Sequence, residues 1–175
     1  MLKTRALAGA ALIAGLSLAG MLVPAAANAA APAPQKTESI QELRAIASQA
    51  DTSALAAYPA CNDSFNVVVK GSSTNTARIP VYSVAAGSGT TYNCIMERGN
   101  SGQGVRTLQT ALNACYGKGL AVDGVFGNGT YNALLQVQRQ VGVSIDGVYG
   151  PGTRNAMQWR AGDGVCRPGN QYGGF

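Results

Sequence analysis

The sequence predicts a mainly α fold: a small three-helix domain preceded by a short β segment stapled by disulfides. Three observations carry this expectation. Two near-copies of one turn lie 23 residues apart, at 122–133 and 145–156. Apolar residues recur at helical spacing around both copies. Residues 61–94 instead hold short β-rich runs, and four cysteines (Cys61, Cys94, Cys115 and Cys166) follow residue 60.

In chain order, Lys3 and Arg5 precede an apolar run over 6–23 and an Ala27-Asn28-Ala29 site. This pattern reads as a secretory signal peptide over 1–29, with no membrane span left after cleavage. Residues 30–60 are expected to be a linker and a short amphipathic helix. Ser39-Ile40-Gln41-Glu42 fits a capping box, Ile40, Leu43, Ala47 and Ala50 form the apolar stripe, and Tyr58-Pro59 ends the helix. In 61–94, the runs 65–70, 78–83 and 90–94 read as short strands separated by polar turns, with Pro80 confining its strand to an edge.

The helical part follows over 95–166. Asn100 or Ser101 is expected to cap helix one, which buries Val105, Leu108, Ala111, Leu112 and Cys115 and stops at Gly117 and Gly119. Each near-copy then turns and launches a helix. In Asp123-Gly124 and Asp146-Gly147, glycine supplies the positive φ and the carboxylate accepts turn N–H groups. Gly127 and Gly150 precede the helix starts, where Asn128 caps and Pro151 suits the first turn. Helix two is expected over 129–141, with Ala133, Leu134, Val137 and Val141 inward, and helix three over 151–160, with Ala156, Met157 and Trp159 inward; residues 167–175 read as a flexible tail.

Four cysteines in an exported chain imply disulfides, and four allow three pairings. Cys61–Cys94 with Cys115–Cys166 is the favoured set; Cys94–Cys166, closing the domain at its borders, is the alternative.

The run from Arg98 through Gln109 to Asn113, together with the two Asp-Gly-Val-aromatic-Gly…Thr…Asn-Ala copies, resembles the peptidoglycan-binding domain of bacterial cell-wall proteins, as found in secreted proteins of actinobacterial type. The resemblance spans about 94–160. It implies a small three-helix peptidoglycan-binding-like domain and a peptidoglycan partner. One departure is Val137 before Gln138, where that family usually places an aromatic.

Charge and missing residues bound the function. Thirteen basic against eight acidic residues give +5, too mild and scattered for nucleic-acid binding but suited to an anionic wall. Removing 1–29 takes Lys3 and Arg5 and leaves +3. The chain has no His, so zinc hydrolases and cysteine–histidine enzymes of the wall cannot be built; Ser-x-x-Lys and Gly-x-Ser-x-Gly are absent too. No metal or cofactor is expected. The reading is a secreted, extracellular or wall-associated, monomeric, non-catalytic protein that binds peptidoglycan. The alternatives are a muramidase-like hydrolase with a site in 61–93, and an adaptor or inhibitor acting through the β segment.

A peptidoglycan receptor needs rings for sugar faces and Arg or amides for stem-peptide carboxylates. Asn128, Tyr131, Tyr149 and Arg154 are expected to line one shallow groove where the two copies meet, with Trp159 and Arg160 next. Phe126 is expected to plug the core.

Overall fold

The computed structural model describes residues 39–84 and 89–174, so the signal peptide expected over 1–29 and most of the linker lie outside the described residues. The described residues belong to one compact unit. Its helices are α1 (Ile40–Ala47), α2 (Gln103–Tyr116), α3 (Asn128–Val141) and α4 (Pro151–Ala156). Its strands are β1 (Asp63–Val68), β2 (Thr76–Ser83), β3 (Thr90–Thr91), β4 (Gln158–Arg160) and β5 (Cys166–Pro168). The expected mainly α class is therefore corrected: the fold is mixed, with an antiparallel β1-β2-β3 sheet and a β4-β5 pair beside the helices.

The helical cores follow the apolar stripes. Val105, Leu108, Ala111 and Leu112 of α2 and Ala133, Leu134, Leu135 and Val137 of α3 are all buried. α2 ends on Gly117, left-handed at φ 62°, but it opens on Gly102 with no capping side chain, not on Asn100 or Ser101. α1 carries the full capping box: Ser39 Oγ accepts from Glu42 N–H and the Glu42 carboxylate accepts from Ser39 N–H. It stops at Ala47, short of the expected reach to 57; a 3-10 turn, Ser53–Ala57, follows.

Two corrections concern strands. β2 is the central strand, although Pro80 predicted an edge. Ile79 and Val81 are fully buried, and the two-residue β3 pairs only with Tyr82 and Ser83, so no strand faces the far side of β2 at Pro80. The expected helix three stops at Ala156, and Gln158–Arg160 is extended. Met157, Trp159 and Ala161 point inward while Gln158 is half-buried and Arg160 exposed, the alternation of a strand rather than a helix.

The segment expected as a loose tail is packed. Cys115–Cys166 holds β5 against α2, Gly169 N–H donates to Met157 O at 2.9 Å, and the buried Tyr172 donates its hydroxyl to Trp159 O at 2.7 Å. A Cβ on Gly169 would sit 2.0 Å from Arg154 O, so only glycine permits this approach. The other bridge is Cys61–Cys94, at the two borders of the β segment. That segment joins the same core as the helices: Val67, Ala77 and Ile79 cluster with Val105, Leu108 and Trp159.

Candidate functional site

The two Asp-Gly turns are each bolted to the preceding helix by one buried glutamine. Gln109 of α2 donates from Nε2 to Asp123 Oδ1 (2.8 Å), Val125 O (3.1 Å) and Thr130 Oγ1 (3.1 Å), two hydrogens shared among three acceptors. Its Oε1 accepts from Gly124 N–H at 2.8 Å. Gln138 of α3 repeats the pattern with Asp146 Oδ1 (2.6 Å), Val148 O (2.9 Å), Thr153 Oγ1 (3.2 Å) and Gly147 N–H (2.9 Å). Both aspartates also accept the N–H two residues on, from Val125 and Val148, at 2.9 Å. The Val125 N–H and then the Gln109 amide favour the anion and hold the Asp123 carboxyl below its usual range. These carboxylates build turns; each is already engaged by backbone and amide donors.

Gly124 and Gly147 supply the left-handed backbone at φ 77° and 71°. Gly127 and Gly150 stand at the N-caps of α3 and α4 with ordinary negative φ, and Asn128 is the first helical residue instead of the cap. Both aromatic plugs are pinned by one stretch of chain. Phe126 exchanges backbone bonds with Gly99 and Asn100, and Tyr149 exchanges two with Met96 at 2.8 and 2.9 Å.

The structure divides the expected ligand-binding residues. Asn128, exposed, and Tyr131, 9% exposed, do meet in one polar groove of about 750 Å³ beside Asp146 and Gly147. Tyr149, Arg154 and Trp159 are interior instead, at 0%, 3% and 1% exposure. Tyr149 stands edge-on to Trp159 with ring centroids 6.0 Å apart. Its hydroxyl is buried without a hydrogen-bond partner, and burial pushes the phenol up. Arg154 donates to Asn155 Oδ1 and to Tyr92 O, and the Trp159 indole N–H donates to Arg154 O at 3.0 Å. The residues outside the two turns cause this: Tyr92 O accepts from the Arg154 guanidinium, and Gly169 packs on the Arg154 backbone.

Three groove residues escaped the sequence reading. Arg98 lies over the Tyr131 ring at 4.2 Å from its centroid, a cation–π contact; Glu97 is its neighbour, and Arg44 of α1 lines the groove as well. Arg44 Nε donates to Asn132 Oδ1 at 3.0 Å. Arg98 opens the Gly-rich run before α2, a usable signal. The packing of α1 on α3, which delivers Arg44, left none. Arg160, the reserve candidate, is exposed elsewhere, beside Trp159 in a second groove. Among the described residues no cluster of His, Cys, Asp or Glu is placed to hold a metal, and no helix is long and apolar enough to cross a membrane.

Residues 101–157 match the family model described as "Putative peptidoglycan binding domain". Among solved structures, the SleB N-terminal domain is 43% identical over 35% of this chain and 84% of that one, with a TM-score of 0.34. A peptidoglycan-binding protein from Clostridioides difficile, solved with glutamine hydroxamate, is 27% identical, with a TM-score of 0.37; the match covers half of this chain and 52% of that one. No curated protein sequence matches the chain. The family match supports peptidoglycan as the partner and a cell-wall setting, with which the two disulfides are consistent.

Proposed function

We propose that the protein is an exported, non-catalytic peptidoglycan-binding protein, and that the groove of Arg98, Asn128 and Tyr131 makes the contact. One observation carries the site: at the opening of α3, a guanidinium stacked on a ring stands beside an exposed amide. Such a set suits a ligand that offers sugar hydroxyls and carboxylates side by side. A hydrolase reading is weaker, because Asp146 Oδ1 is engaged by the Gln138 amide and the Val148 N–H as part of its turn.

The test is sedimentation with purified sacculi. The natural pair of changes is Arg98→Ala with Asn128→Ala, since both side chains are exposed; Arg154 is buried and unsuitable. Losing one charge-assisted contact and one amide contact costs about 2–4 kcal/mol, roughly 30-fold or more in affinity. A folded variant that still sediments fully would overturn the placement. Release of soluble fragments from labelled peptidoglycan by the wild type would overturn the non-catalytic reading.

A further inference from the structure

A second groove, on a different face, has a different chemistry. It lies between β2, α2 and β4, has a volume of about 410 Å³, and carries Arg78, Arg106 and Arg160 at its sides. Its floor is apolar: Trp159, Ala77, Ala111 and Ala161 are all at least 95% buried. Among the described residues no carboxylate lines it. The nearby acids are committed. Asp123 serves its turn, and Asp163 is bridged by Arg167 at 2.6 Å and bonded by Asn75. Arg78 rests on Ser64 Oγ, and Arg106 donates to Val122 O. The Arg160 guanidinium makes no hydrogen bond or ion pair among the described residues. α2, whose first residue Gln103 lines this groove, adds an uncapped N-terminus to the positive field.

We infer that this groove binds a short peptide bearing several carboxylates separated by small apolar side chains. Three guanidiniums round an acid-free cleft match carboxylates bidentately. An anionic polyol-phosphate chain would answer the arginines equally but leave the apolar floor unmatched; methyl side chains would fill it. The chemistry is that of a peptidoglycan stem. That the natural ligand comes from the wall rests on the function proposed above, whereas the groove's selectivity for such a peptide does not. Two grooves on one unit would let a single molecule hold the wall polymer at two separate places.

Trp159 is the chain's single tryptophan and lies in the floor of this groove, so its fluorescence is a probe of occupancy, with heat as the independent readout. The experiment titrates the soluble tetrapeptide Ala–γ-Glu–diaminopimelate–Ala into wild-type protein and follows tryptophan fluorescence and heat. Saturable binding is expected. Arg160→Gln, and Arg78→Gln with Arg160→Gln, should raise Kd by roughly 10- to 100-fold while thermal unfolding stays cooperative. Arg139→Gln, an exposed charge on α3 that lines neither groove, should leave Kd unchanged, which separates the groove's own arginines from a general loss of positive charge. Wild type that binds peptide but ignores sacculi would refute the wall reading and keep this one. No binding by wild type, unchanged Kd in Arg160→Gln, or preference for poly(glycerol phosphate) over the peptide would overturn the inference.

Discussion

Replacing Gln138 by Leu tests whether the glutamine anchors hold the fold. The side chain is fully buried and makes four bonds. Leucine fills similar space but leaves the Gly147 N–H without its acceptor, in a buried turn. Val148 O keeps only the 3.4 Å bond from Thr153. Asp146 keeps Val148 N–H and is half-exposed, so water compensates its loss. One orphaned donor at about 1–3 kcal/mol and one weakened acceptor at about 1 kcal/mol give a loss near 3 kcal/mol. For a unit of this size that lowers Tm by about 10 °C. The assay is thermal and urea unfolding with the disulfides intact. Gln140→Leu, on the exposed side of the same helix, is the control and should stay within about 0.5 kcal/mol. A loss below about 1 kcal/mol in Gln138→Leu would refute the reasoning, because the anchor would then be replaceable by packing alone.

Three further outcomes follow from the same geometry. Tyr149→Phe removes a buried hydroxyl that has no partner, and Phe126 in the other copy shows that a plain ring suits the position; stability by urea unfolding should hold or rise by up to about 1 kcal/mol. Gly142→Ala and Gly147→Ala both force a side chain into left-handed backbone, at about 1–2 kcal/mol each. The second should lose more, since its Cβ would meet the Tyr131 ring at 2.0 Å while the first has open space. Asp123 has a lowered folded pKa, so its contribution is present above the ordinary carboxylate value and disappears as pH falls through the folded one. Melting curves taken from pH 7 down should therefore hold until acid reaches the carboxylate range and then drop, with a shallower drop in Asp123→Asn.

Sequence legibility followed physical range. The capping box at Ser39, the stripes of α2 and α3 and the Asp-Gly turns are decided within a few residues, so they could be read directly. The run Met157-Gln158-Trp159-Arg160 also carried a local signal, since it alternates apolar and polar. Pro151 and the second turn predict a helix start but nothing in the sequence marks its end, so helical spacing and strand alternation compete over this run. The burial of Arg154 and Tyr149 was not legible. Tyr92, Met96 and Gly169 cover them, and those residues come from 53 or more positions upstream and 15 or more downstream. The groove at Tyr131 was half-read: Asn128 and Tyr131 lie on one local turn, whereas Arg44 arrives from α1 through packing that no short pattern encodes.

The two Asp-Gly turns share one set of bonds reached along different lengths of chain. The turns are offset by 23 residues, but the glutamines that hold them are offset by 29, because Gln109 lies 14 residues before its aspartate and Gln138 only 8. The same set of bonds is thus reached by chains of different length. In the longer path, α2 runs on to Tyr116 and the extra loop is clamped by Asn113, whose Nδ2 donates to Leu120 O at 2.8 Å while its Oδ1 accepts from Leu120 N–H at 2.7 Å. In the shorter path, α3 ends three residues after Gln138 on left-handed Gly142. The anchored geometry of amide, carboxylate, glycine and threonine is therefore the repeated unit, and loop length is free to vary as long as another side chain takes up the slack. The groove at the opening of α3 has this anchored turn on its Asp146–Gly147 side, while its other walls include Arg98 from the run before α2 and Arg44 of α1.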